Sequence, residues 1–471
     1  MSKFMRSRRG SEVAGRFIGT ALAATFAMSG VAAASDGGLD PTFGSGGIMF
    51  SGVTTADVLF PPKLAVQPDG KIIECAQFDS GGSAGKDFLV VRFNADGSLD
   101  TSFNFAGKVA IDFDGNADVC SAVAVQADGK IVAIGATRPL TSFDSDFAVA
   151  RLDANGTLDP SFGAGTGKTT ISFNLGGSND DYGAAIALQA DGNILIAGSV
   201  SVAPSEYDFG VVRLLPDGTR DTAFNVSGRV TIAFDLPGST SRVDQANAIA
   251  VDGAGRIFVG GIANASPTAG FDFAVARLLP NGHLDTAFNV DGRATFAFDI
   301  GATKDDFAFN MILQRDGKIV MVGYADTGSG TTSNLDTAIA RMLPNGLADA
   351  SFGIDGKVLM PYDLIANGGD FADGIVEDSV GRLVIGGNAQ TTAAGNSQPV
   401  LARLLRNGTF DPSFGAFGKK IYDFGTDIAT FTSIALQGTQ IIGDGLSVVG
   451  TDQDIFATRI EVDLIFANGF E

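Results

Sequence analysis

Along the chain, apolar residues gather in short runs, and glycine, asparagine or aspartate closes each run. Four consecutive examples are "KVAIDF" (108–113), "SAVAVQ" (121–126), "KIVAIGA" (130–136) and "DFAVARL" (146–152). Val, Ile and Phe dominate them, so each is predicted as a β-strand. After residue 35 no segment sustains a helical period. Most runs are continuously apolar rather than alternating, the pattern of strands covered on both faces.

The same phrases return at a fixed interval. "RLLPDGTRDTAF" (213–224) is followed by "RLLPNGHLDTAF" (277–288) and "RMLPNGLADASF" (341–352). The aspartate of this phrase falls at Asp40, Asp100, Asp159, Asp221, Asp285, Asp349 and Asp411, at spacings of 59 to 64 residues. Such a period means a repeat architecture. A linear solenoid needs polar terminal caps, and neither the first unit ("KLAVQPDGKIIECAQF", 63–78) nor the last ("FTSIALQGTQIIGDGLSVVG", 431–450) has one. The predicted fold is therefore all-β: a seven-bladed β-propeller over residues 39–462, with four antiparallel strands per blade. The variable loops 136–146, 235–245 and 325–334 are assigned to the hairpins of strands one–two and three–four. They share one rim, which is expected to carry binding.

In "RLLPDGTRD" the Pro-Asp-Gly triplet suits a three-residue hairpin loop with its glycine in the left-handed region. That hairpin sets Arg213 opposite Asp221. The same offset relates Arg92 to Asp100, Arg151 to Asp159, Arg277 to Asp285, Arg341 to Asp349 and Arg403 to Asp411. These are expected to be structural cross-strand pairs, each contributing about 0.2–1 kcal/mol if exposed, rather than a ring of arginines around an anion. Arg459 has Ala467 at the matching offset and is expected to lack the partner.

"QADGKIVAIGA", "LDPSFGAGTGK" and "DFAVARLDANGTLDPSFG" resemble the delta-60 repeat, and the resemblance covers nearly the whole chain between residues 39 and 462. It implies a propeller of the kind found in exported bacterial proteins. It supplies no catalytic residues.

Composition bears on compartment and partners. Residues 1–34 carry Lys3, Arg6, Arg8, Arg9 and Arg16 ahead of "FIGTALAATFAMSGVAAA", as a cleaved secretory signal does. Cleavage is expected after Ala34 or Ala33, and the expected location is secreted, cell-surface or periplasmic. No later run is long enough to span a bilayer as a helix. The chain holds 32 basic and 53 acidic residues, a net charge of −21; without the signal the figure is near −25. That excess repels nucleic acid and anionic lipid. The expectation is a monomer meeting an extracellular ligand or protein, with no nucleic acid. Cys75 and Cys120 are either a disulfide or buried free thiols. The last residues, "DLIFANGFE" (463–471), lie outside the repeat and read as a sorting motif or a frayed tail.

Candidate chemistry is sparse. His283 is the only histidine, and it stands at a turn position held elsewhere by Ser98, Thr157 and Thr219. That argues against a Ser-His-Asp triad and histidine-bound zinc. There is no tryptophan for sugar stacking. Paired carboxylates remain the one route to acid–base chemistry. The favoured expectation is thus a non-catalytic binding or surface-interaction propeller. A carboxylate-based hydrolase or lyase comes second, and a purely structural module third. No cofactor is expected apart from calcium, for which Asp112, Asp114, Asn116 and Asp118 in "DFDGNAD" are the candidate ligands, since oxygens at alternate loop positions wrap a hard cation.

Overall fold

A computed structural model of the chain describes residues 36–52, 62–79, 85–140, 144–234, 242–266, 270–301, 303–329, 332–450 and 452–462. The expected signal (1–34), the tail (463–471) and most of the loop 235–245 lie outside the described residues.

The described strands form five four-stranded antiparallel sheets and one eight-stranded sheet. The larger sheet is two antiparallel groups joined by a single parallel bridge, Ser397↔Ile428. In the first four-stranded sheet the order follows the chain: Lys63–Val66, Ile72–Asp79, Lys86–Phe93, Lys108–Ile111. The segment beginning "KVAI" therefore closes this sheet and does not open the next, because it bonds to the third strand through Phe88↔Ile111 and Val91↔Lys108. The expected strand numbering, which puts the variable loops in the hairpins of strands one–two and three–four, is therefore off by one strand. Loop 136–146 thus links a second strand (Ile131–Arg138) to a third (Asp146–Leu152), and 235–243 links one sheet to the next.

The innermost strands form a closed circuit. Lys63–Val66 lies against Ala117–Val125, and contact passes on through Asp181–Leu188, Asp244–Val251, Asp306–Leu313, Asp370–Glu377 and Ile428–Gln437, which returns to Lys63–Val66. At the closing seam the N-terminal strand Ile48–Phe50 pairs with Asp452–Glu461, for example Ile48↔Thr458. Apolar layers sit between sheets: Phe88, Val90 and Ile73 of the first interlock with Val123, Ile131 and Ala148 of the second. Two covered faces explain the continuously apolar runs. A disulfide, Cys75–Cys120, joins the same two sheets.

The repeated arginine phrase works between sheets as well as within them. Arg277 meets Asp285 at 2.8 Å, donates to the carbonyl oxygen of Pro344 in the following unit at 2.6 Å, and lies 4.9 Å from the ring centre of Phe288. Arg92, Arg151, Arg213, Arg341 and Arg403 hold Asp100, Asp159, Asp221, Asp349 and Asp411 at 2.6–2.8 Å. Arg459 corrects the expectation of an unpaired seventh: Asp40, from the other end of the chain, meets it at 2.7 Å. Arg459 also donates to the Ala95 carbonyl of the first sheet at 2.7 Å, so the same clamp ties last to first. The phrase requires glycine at its turn. Gly282 has φ +87°, and a Cβ there would come 2.8 Å from the Phe224 ring of the preceding unit.

Candidate functional site

The innermost strands surround a recess of about 180 Å³ lined by Lys63, Ser121, Asn247, Phe309, Asn310 and Ser433, among others. Its wall is built from a recurring β-bulge. The register slips at Ser121, Ala184, Asn247, Phe309, Asp373 and Thr432. A bulge turns its extra residue out of the ladder, and here the freed groups link neighbouring strands. Asn247 Nδ2 donates to Ala308 O at 2.8 Å, Asn310 Nδ2 to Asp373 O at 3.0 Å, and Lys63 Nζ to Thr432 O at 2.5 Å.

Around Lys63 this wall carries acid. Asp373 occupies the bulge position of Asp370–Glu377, and desolvation pushes its carboxyl up to about 6 against the pull of Lys63. Behind the wall lie Glu74, on the second strand Ile72–Asp79, and Asp444, on the second strand Gln440–Val449. Both are wholly buried. None of their four carboxyl oxygens has a hydrogen-bond partner among the described residues. Burial, followed by the charge of Asp454, lifts Glu74 to about 8. Burial and the charge of Glu74 lift Asp444 well above the carboxylate range, while Lys63 opposes the rise. The pair meets only because the ring closes. Asp444 stands opposite Ser433, the register position held by Cys75 opposite Lys63 and by Ile134 opposite Ala122. The signal was present in the sequence as one acid inside each of two apolar strands, "IIECAQF" and "IIGDGLSVV".

The residues chosen from the sequence as calcium ligands are not gathered as a set. Asp114 is almost fully exposed and faces Lys168 at 3.6 Å. Asn116 donates instead to Thr137 at 3.3 Å. Asp114 has φ +65°, the turn that carries its side chain away from the others. Asp112 and Asp118 do converge, and the third member of their cluster is Asp87. His283 is exposed at its turn.

Solved structures similar to this chain include a protein of unknown function from Dyadobacter fermentans (11% identity, 90% of this chain and 100% of that one, TM-score 0.44). Others are the polysaccharide lyase Uly1 (12%, 85% and 90%, 0.45) and an α-L-arabinanase from Penicillium chrysogenum (8%, 88% and 98%, 0.43). No curated protein matches the chain. Likeness of this degree assigns no activity and no residue. A polysaccharide lyase and an arabinanase stand among these similar chains, which runs against the expectation of a non-catalytic binder and of a chain that is not an enzyme. Six segments, 67–103, 126–162, 189–224, 255–288, 314–352 and 381–414, match the family described as the domain of unknown function DUF5122 β-propeller. These are the turn-and-arginine stretches of successive units, so the chain carries six segments that match this β-propeller repeat family.

Proposed function

We propose that the chain is a carboxylate-based hydrolase or lyase whose acid–base chemistry sits at the central recess, beside the seam where the ring closes. One observation carries this reading: Glu74 and Asp444 are buried without hydrogen bonds behind Lys63, which lines the recess and acts on the carboxyl of Asp373 at the neighbouring bulge. Unpaired buried carboxyls cost stability, and strongly perturbed carboxyls gather where proton transfer is needed. Asp373, half-buried and titrating near 6, is ionised at neutral pH and suits a base. Glu74, titrating near 8, stays protonated there and holds a proton in reserve. Lys63 supplies positive charge for a developing anion.

The scaffold belongs to the same proposal. The circuit of innermost strands supports a count of seven blades, the last completed by Ile48–Phe50. Residues 1–34 are taken as the export signal, 39–462 as the propeller and 463–471 as a separate tail, in a monomer outside the cytoplasm.

The test is the purified chain on a panel of neutral and uronate-containing polysaccharides, reading new reducing ends and the ultraviolet absorbance of unsaturated ends. Activity that Asp373→Asn lowers at least about a hundredfold, the usual contribution of one acid–base group, supports the reading. Folded protein inactive on the whole panel, or an active Asp373→Asn variant, overturns it.

A further inference from the structure

We propose that Asp87, Asp112 and Asp118 bind one hard divalent cation, calcium first, at the seam between the first two four-stranded sheets. Asp87 stands on the third strand of the first sheet, Lys86–Phe93. Asp112 directly follows that sheet's outermost strand, Lys108–Ile111. Asp118 is the second residue of the innermost strand of the next sheet, Ala117–Val125. Three elements thus bring one carboxylate each to a common point, where their oxygens lie within 4.8 Å of one another. Three carboxylate oxygens that close to one another can bind a single hard cation together. An all-oxygen donor set also suits such a cation better than zinc or copper.

A second observation points to the ion. Asp118 is wholly buried. Its Oδ2 accepts the Phe113 amide at 2.7 Å, the Thr137 hydroxyl is a second neighbour of the carboxylate, and its Oδ1 has no hydrogen-bond partner among the described residues. A buried carboxylate oxygen left this way is costly, and a cation removes the cost. Asp112 gives Oδ1 to the Gly115 amide at 2.7 Å, which leaves Oδ2 for the ion. Asp112 is also exposed, which opens a path for the ion and for waters completing its shell. Lys168, a cation near this seam, is held on the Asp112 carbonyl oxygen at 2.7 Å and near Asp114.

Sister seams show why the site is placed here. Asp181, Asp306 and Asp370 accept the amides of Phe173, Phe298 and Tyr362 just as Asp118 accepts that of Phe113. Asp146, Asp272 and Asp336 hold the register place of Asp87. The residue preceding the capped amide is Ser172, Ala297 or Pro361 at those seams, whereas here it is Asp112. Only this seam gathers three carboxylates among the described residues.

Calorimetric titration of the full chain with calcium chloride, with thermal melts in calcium and in chelator, tests the site. The expected result is one calcium per chain, a melting temperature raised by calcium, and weaker binding of magnesium. Asp112→Asn, at an exposed position that threatens the fold least, is expected to lower affinity about tenfold or more, equivalent to about 1.4 kcal/mol. Asp114→Asn is expected to bind as the parent does. Absence of both heat and a melting shift overturns the proposal. So does an Asp112→Asn variant that binds as the parent does, or an Asp114→Asn variant that loses binding equally.

Discussion

Arg341 shows how much one repeated residue carries. Its guanidinium meets Asp349 at 2.8 Å, donates to the Arg406 carbonyl at 2.5 Å, and lies 4.2 Å from the centre of the Phe352 ring. Both partners of the ion pair are about nineteen-twentieths buried. Burial would raise Asp349, but Ser351, Lys318 and Arg341 together hold it at about 2. A surface pair contributes about 0.2–1 kcal/mol, yet removing one partner of a buried pair costs about 3–5 kcal/mol because the other charge is stranded. Arg341→Ala is therefore expected to lower stability by about 3–5 kcal/mol, read from the urea midpoint at unchanged slope. A loss below about 1 kcal/mol would return the pair to the surface class. The Asp349 partner was legible in the sequence because a hairpin is local. The Arg406 carbonyl, 65 residues on, was not, since only the packing of one sheet on the next brings it near.

At the scale of the element, a strand of one sheet begins with an aspartate that caps the outermost strand of the sheet before it. Asp306 accepts the Phe298 amide at 2.5 Å and sits in the same electrostatic pocket as Asp272. Desolvation lifts both carboxyls to about 7; the charge of Asp306 adds to the rise at Asp272, and the charge of Asp299 to that at Asp306. The folded state therefore holds protons that the unfolded chain releases near 3.8. The contribution is full below that value, and it is lost as pH rises through about 7. Asp306→Asn keeps the acceptor oxygen and removes the titration. Its melting temperature is expected to fall less than the parent's between pH 5 and pH 8; equal slopes would show that this seam does not titrate in the window. The seams were half legible. Each "Asp-Phe" and "Asp-Asp" could be read as a turn, but which acids face one another depends on where a unit begins. The expected hairpin assignment is off by one strand because the outermost strand adjoins the variable loop without a turn signature of its own. Glu74 and Asp444 were less legible still. Each is a lone acid in an apolar run, and their meeting needs the first and last units to touch.

The whole molecule depends on that touch. The first two sheets are joined covalently by Cys75–Cys120, whereas the closing seam relies on segments borrowed from the N-terminus. Ile48–Phe50 completes the last group, Asp36 meets the fully buried Arg403 at 2.5 Å, Asp40 meets Arg459, and the Gly37 carbonyl accepts the Tyr422 hydroxyl at 2.9 Å. An open array can lose a terminal unit and keep the rest, because each unit contacts only its neighbours. A ring that loses its closing strand exposes two inner surfaces at once. A chain beginning after Phe50 would leave Arg459 without Asp40, and a buried charge deprived of its partner costs about 3–5 kcal/mol; Arg403 would lose Asp36 and keep Asp411. That loss, together with the pairing of Ile48–Phe50, takes a large share of the stability of an ordinary domain, about 5–15 kcal/mol. The shortened chain is therefore expected to show no cooperative urea transition, while a chain beginning at Ser35 keeps the parent's midpoint. If the shortened chain unfolded at that same midpoint, closure would rest on the apolar layers between sheets, and the N-terminal strand would be a covering rather than a latch.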